Sequence, residues 1–313
     1  MKNNQLINHP IAHITVLGTL FGMSIVASRF SIGQFAPLTF VGLRLTLASL
    51  CFVILYLISQ GKRKWPKDGL LWRRATFLGV IGTAVPMAAF VSSLQYQSSG
   101  ITSTLITISP AITVLLAHFF LPDERLTFSK SFGVALAFSG ALFLALRGES
   151  GLVTIGRVNP IGYGLVFLGI SCSSVSNIYI RKKMLDFAAM DVAAVRMLTA
   201  ALTAMPIALL SSDFNLKQVN AQGWLVLLFA AIVGTFFAFL LDFYNTQRFG
   251  ASTAVMVSYV VPIVGVLGGA ILLDEQITGG MLGGMLLIVL GVGFILRRQT
   301  AVQQEKQIHV EEA

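Results

Sequence analysis

An all-α integral membrane protein, with ten transmembrane helices in two inverted five-helix repeats, is predicted by three observations. Charge is scarce: of 313 residues, 11% are Asp, Glu, Lys or Arg and 55% are hydrophobic, with a mean hydropathy of +0.80. Soluble domains carry about 25% charged residues, so this chain cannot cover itself with charge. Uncharged apolar runs of spanning length recur, since about 20 helical residues cross about 30 Å of hydrocarbon. The third observation is a duplication, in which the pattern of Gly100 to Arg147 returns in Gly250 to Arg298. Backbone groups in lipid must bond internally, and the runs are continuous rather than alternating, so helices are predicted rather than a β-barrel.

Taken in order, the first span is predicted at Ile11–Phe30. One Lys and no convincing small-residue cleavage site precede a long series of spans, so the start does not read as a cleavable signal peptide. The second span, Leu38–Ser59, carries Arg44, and the third is Ala75–Gln95. The fourth, Thr102–Leu121, has Pro110 at its middle, and the fifth is Lys130–Leu146. A polar, glycine-rich connector, Gly148–Val158, joins the halves. The second set is Pro160–Ile180, Ala188–Leu210 with Arg196, Trp224–Tyr244, Ala251–Leu273 with Pro262, and Gly279–Leu296. Residues 1–150 and 151–298 are thus two repeats, and 299–313 form a polar cytoplasmic tail expected to fray.

The duplication is detailed. A shift of 151 residues puts Asp123 on Asp274, Glu124 on Glu275, Thr127 on Thr278, Gly133 on Gly284 and Gly140 on Gly291; one more residue brings Pro110 onto Pro262. Charge then sets the topology. With the N-terminus inside, the outer loops hold only Arg29, Arg147, Arg157 and Lys217. Arg44 and Arg196 lie within spans, and the remainder of the 22 Lys and Arg fall inside. Both termini are therefore expected in the cytoplasm. This distribution also explains the net charge of +9 without nucleic acid as a partner. Five spans per half make the repeats inverted, a plan in which a substrate site lies near the bilayer midplane between the repeats.

The two segments LQYQSSGITSTLITISPAITVLLAHFFLPDERLT and FYNTQRFGASTAVMVSYVVPIVGVLGGAILLDEQIT share one pattern. Each has a span ending in an aromatic, a small-residue segment, a mid-span proline, and an acid followed by Leu or Ile and Thr. This doubled pattern resembles the EamA type of the drug/metabolite transporter superfamily. The resemblance implies ten helices in two EamA-like repeats, the bacterial inner membrane, and transport of small metabolites, often outward. Where that family's first span often carries Trp-Gly, this chain has Phe21-Gly22, and no acid lies between Ile11 and Phe30.

Ionisable residues inside spans are costly and often functional. Arg44 and Arg196 are equivalent by repeat, and two readings stand: cations facing a polar cavity, or tethers from helix to helix. Asp191 is read as a local ion pair or cap. Asp242 is either a proton or amine contact, or an interfacial acid paired with Arg248. Gln95, Tyr96, Asn177, Tyr244, Ser258 and Tyr259 complete the candidate cavity, with Phe21, Met23, Phe90 and Phe237 as walls. Pro110 and Pro262 free backbone carbonyls and are expected to shape it. The acidic pairs Asp123-Glu124 and Asp274-Glu275 are expected to cap the helices that follow them. Cys51 and Cys172 are read as apolar fillers. Glycine pairs such as Gly280 and Gly284 are assigned to internal packing, which leaves a monomer as the expected state.

The expected activity is alternating-access transport of a small amphipathic metabolite, such as an amino acid, with export favoured by the family resemblance. An importer or facilitator of the same fold is the alternative. A lipid-processing enzyme is disfavoured, because neither H-E-x-x-H nor a paired intramembrane Asp is present; no catalytic residue, metal or cofactor is expected.

Overall fold

A computed structural model describes residues 10–59, 64–121, 126–152, 159–211, 214–249 and 251–311. Ten helices long and apolar enough to cross a membrane are found among them, and no strand. They are α1 (Pro10–Ser31), α2 (Pro37–Ile58), α3 (Gly69–Ser93), α4 (Ser99–Phe120) and α5 (Phe128–Arg147). The second five are α6 (Pro160–Lys183), α7 (Ala189–Leu210), α8 (residues 221–249), α9 (Ala251–Leu273) and α10 (Gly279–Glu311).

Local chemistry starts these helices where the chain leaves the apolar layer. Side chains of Asp68, Ser98, Thr127, Asn159 and Asn220 accept from the first orphan amides of α3, α4, α5, α6 and α8. Thr278 does the same for α10, accepting from the Met281 amide at 3.0 Å. At the other end of α5, Gly148 takes a left-handed conformation, φ 68°, and its N–H closes the helix on Ala145 and Leu144.

The helices pack as the inverted repeat requires. Pairing α1 with α6, α2 with α7, and so on through α5 with α10, the contacts fall into exchanged sets. α1 packs on α8 and α9, as α6 packs on α3 and α4; α2 packs on α8, as α7 packs on α3. Three interfaces map onto themselves: α2 with α7, α4 with α9, and α5 with α10. In the last, a Cβ on Gly291 would lie 2.5 Å from the Ala137 backbone nitrogen, and one on Gly140 would lie 2.9 Å from the Gly284 carbonyl. Repeat-equivalent glycines therefore bring the two final helices into backbone contact.

Three features depart from expectation. The pair Thr107 and Ile108 interrupts α4, which resumes with Pro110 in the first turn of its second piece. Pro262 instead stays inside a continuous α9. A proline lacking N–H suits a helix start better than its interior, and only the first repeat uses it that way. Second, α3 and α8 each widen into π-helix, at Val80–Ala84 and Phe229–Phe237. Third, residues 299–311 do not fray but continue α10 as helix.

Candidate functional site

The widened turns are where the site is built. A π-turn inserts a residue and leaves a carbonyl without its regular helical partner. In α3 the effect is reinforced by Pro86, which has no N–H to offer Gly82 four residues earlier. Thr83 and Thr235 turn their hydroxyls back to Leu78 and Ala230 at 3.4 and 2.8 Å, five residues before each.

Two arginines engage these turns, each from the opposite repeat. Arg44 on α2 donates from Nε to Thr235 Oγ1 at 2.8 Å and from Nη2 to the Gly234 carbonyl at 3.4 Å. Its Nη1 and Nη2 also reach Ser28 Oγ at 3.0 Å and Ser24 Oγ at 2.6 Å on α1. Arg196 on α7 donates from Nε to Thr83 Oγ1 at 2.6 Å and from Nη2 to the Gly82 carbonyl at 2.7 Å. A shift of 152 residues carries Arg44, Gly82 and Thr83 onto Arg196, Gly234 and Thr235. The two contacts are thus one contact, made twice by the pseudo-symmetry.

Their surroundings differ. Arg44 is 5% exposed and closed in by oxygens. Arg196 is only partly buried. Its guanidinium carbon lies 5.8 Å from the Phe239 ring centroid, and Phe239 meets Phe21 of α1 edge-on at 6.1 Å. Asp242, one turn beyond Phe239, interacts electrostatically with Arg196.

The other sequence candidates fall elsewhere. Gln95 is exposed in the turn after α3, and Tyr96 beside it packs over Gly162 of α6. Asn177 is exposed; its neighbour Ser176 is the buried residue. Tyr244 stacks on His13 with centroids 5.6 Å apart. The Ser258 carbonyl accepts from Thr107 Oγ1 at 3.3 Å, and Tyr259 packs in the α4–α5–α10 core. The Asp191 carboxylate accepts from Tyr56 OH on α2 and caps nothing. Cys51 and Cys172 are free and partly buried. Arg248 lies outside the described side chains, and Asp123-Glu124 outside the described residues.

Glu275 corrects an expectation. It does not start α10. It reaches back to the start of α4, accepting from the Ser99 amide at 2.9 and 3.0 Å and from Ser99 Oγ at 2.6 Å. Asp274 adopts φ 54°, a turn that returns the chain over the bundle. Arg29 of α1 lies 3.5 Å from the same carboxylate and donates to the Leu94 carbonyl at 2.9 Å. Ser98 caps the Ile101 amide, and the carboxylate takes the Ser99 and Gly100 amides that this cap leaves open.

Sequence reasoning missed the serines, the Gly-Thr pairs, Ser176 and Phe239. The 152-residue shift places Ser24 on Ser176 and Gly82-Thr83 on Gly234-Thr235, which pairs these residues without marking them as partners of the arginines.

Ten apolar helices in paired repeats, joined through arginines deep in the bundle, define a polytopic membrane protein of the two-repeat transporter class. The chain belongs to the EamA-like transporter family, which it matches over residues 11–146 and again over residues 160–297. It is 26% identical to an uncharacterized transporter of Archaeoglobus fulgidus, over 90% of this chain and 96% of that protein. It is 25% identical to a probable amino-acid metabolite efflux pump of Salmonella typhimurium, over 90% and 95%. It is 23% identical to the uncharacterized inner membrane transporter YedA of Escherichia coli, over 85% of each. One protein of known crystal structure shares the fold with TM-score 0.61 at 19% identity, covering 93% of this chain and 97% of that one.

Proposed function

We propose that this chain is a secondary transporter of the bacterial inner membrane, exporting small amphipathic metabolites, amino acids foremost, by alternating access. The observation that carries this reading is the reciprocal contact of Arg44 with Gly234-Thr235 and Arg196 with Gly82-Thr83. Each repeat places a cation on the irregular turn of the other, so the interface has two equivalent halves about a central axis. Transporters built from inverted repeats work by rocking one repeat against the other, and these two contacts span that interface. The names of the Salmonella and Escherichia relatives support amino-acid metabolites and the inner membrane. The chain acts alone, with bilayer and small-molecule substrate as its partners and neither nucleic acid nor metal.

The test is untargeted metabolite profiling of cells and medium, with wild type and Arg196→Ala overexpressed to equal membrane abundance. The expected result is a solute enriched in the medium by wild type and not by the variant. Enrichment of no solute in either compartment would overturn the reading, and enrichment in the cells alone would reverse its direction.

A further inference from the structure

Arg44 and Arg196 occupy equivalent places but are not equally satisfied, and the difference describes a ligand. Arg44 directs three nitrogens at four oxygens of α1 and α8. At the second arginine, the counterpart of Ser28 is Ile180, and Nη1 has no protein acceptor among the described residues. The counterpart of Ser24 is Ser176, which is 1% exposed and whose hydroxyl has no hydrogen-bond partner. Ser176 and Arg196 share one side of Gly82: a Cβ added there would lie 2.7 Å from Ser176 Cβ and 3.3 Å from Arg196 Nη2. An orphaned buried hydroxyl beside a partly used guanidinium calls for an oxygen ligand that the protein does not supply.

The same place carries an acid with no first-repeat equivalent. Asp242 interacts with Arg196, and the same shift puts it on Phe90. Three helices neighbour it, and two of them carry a titratable or charged group. α7 offers Arg196, and α1 offers His13, stacked on Tyr244. The described side chains of α9, residues 256–273, include no Asp, Glu, Lys, Arg or His. On α8 itself stand Tyr244 and, outside the described side chains, Arg248. The wall is aromatic, from Phe21 and Phe239.

We infer that Arg196, Ser176 and Asp242 form a dipolar site for one α-amino acid, and that substrate ammonium and proton compete there for Asp242. This rests on the transporter reading and deepens it. The guanidinium and the Ser176 hydroxyl take the carboxylate, Asp242 takes the ammonium, and Phe21 and Phe239 take an apolar side chain. When the ammonium leaves on one side of the membrane, Asp242 accepts a proton from that side. After the return, the next ammonium displaces that proton to the other side. One proton therefore moves opposite to each zwitterion, and one positive charge moves with it. A bidentate guanidinium and a carboxylate suit these two groups.

The full chain in proteoliposomes tests this, using each of the twenty protein amino acids as probe and an entrapped pH dye as second readout. For any that exchanges, the matching decarboxylated amine and deaminated acid are offered as competitors. The expected wild-type result is counterflow of at least one amino acid and, during its net transport down a gradient, proton movement in the opposite sense. Each half-molecule should compete about tenfold more weakly, one lost charged contact being worth that or more. Asp242→Asn should abolish proton movement and, with the ammonium's carboxylate gone, weaken amino-acid counterflow about tenfold, while Ser176→Ala should raise KM with proton coupling retained. Should Asp242→Asn lose counterflow as well, Asp242→Glu decides: coupled exchange supports the site, and its absence in monodisperse protein overturns it. Undiminished proton coupling in Asp242→Asn overturns it too. If none of the twenty exchanges while overexpressing cells still export another solute, the dipolar site falls and the transporter reading stands.

Discussion

Arg44 donates to Thr235 at 2.8 Å across 191 residues of sequence, and Arg196 repeats the contact on Thr83 across 113. The bonds bridge repeats in a bundle where lipid gives no hydrophobic drive for helix to meet helix. Thr235→Val keeps the shape and removes the acceptor, and should cost about 1 kcal/mol. A double-mutant cycle with Arg44→Gln, followed by denaturant unfolding in detergent, should show coupling. Strict additivity would mean that the contact is not energetically real.

Arg44 and Arg196 should separate by phenotype. Arg44, enclosed by oxygens, should mainly hold the bundle, so Arg44→Ala is expected to lower membrane abundance and transport together. Arg196→Ala should lower transport more than abundance, because its guanidinium retains donors without protein acceptors among the described residues. Quantitative blotting beside an export assay distinguishes the two, and identical ratios for both variants would count against the division.

The carboxylate of Glu275 joins three helices by holding the start of α4 and facing Arg29 of α1. Glu275→Gln keeps an acceptor and removes the charge, so about 1 kcal/mol of capping and ion-pair energy should go. Hydrogen exchange at the Ser99 and Gly100 amides should speed up accordingly. Unaltered exchange there would show that the carboxylate is dispensable.

Close packing at the self-mapped α5–α10 interface gives a contrast between two glycines. In Gly291→Ala the new methyl meets the Ala137 backbone nitrogen at 2.5 Å, where no side chain can move aside. A loss of about 1–3 kcal/mol is expected. Gly164 has nothing within 4 Å of an added Cβ, so Gly164→Ala should be neutral or slightly stabilising. Thermal unfolding of both purified variants checks the pair.

Topology has its own test. Lys64→Cys should react with a membrane-impermeant thiol reagent only from the cytoplasmic side, and Gln95→Cys, in the exposed turn after α3, only from outside. The reverse pattern would invert the assignment of inside and outside.

Much of the fold was legible because it depends on composition and self-similarity. Apolar length locates Pro37–Ile58 or Ala189–Leu210 within a residue or two, and the duplication pairs them. The site was legible only in its charges. Arg44 and Arg196 stand out in apolar runs, but their partners do not, since Gly82-Thr83 and Gly234-Thr235 resemble ordinary small residues of a span. What selects them is a local change of helical pitch. In α3 that change has a local signal in Pro86; in α8 no proline marks it, and α2 and α7 pack on the two turns. Glu275 was misassigned for a related reason: proximity in sequence favoured α10, while the amides it takes are those of Ser99 and Gly100 on α4. Asn177 and Ser176 differ by one position, and a one-residue step of 100° around a helix is finer than the boundaries of an apolar run.

The crossed arginines also impose an order on assembly. Gly82 and Thr83 have already left the ribosome when α7 emerges, so Arg196 meets its receptor at once. Arg44 is made long before α8, and during that interval it has only Ser24 and Ser28 of α1 as hydroxyl partners. Translation therefore leaves one cation half-satisfied in the membrane until the eighth helix arrives. A nascent chain stalled before α8 would expose that deficit to quality control, which would read an incomplete protein by a single half-satisfied guanidinium.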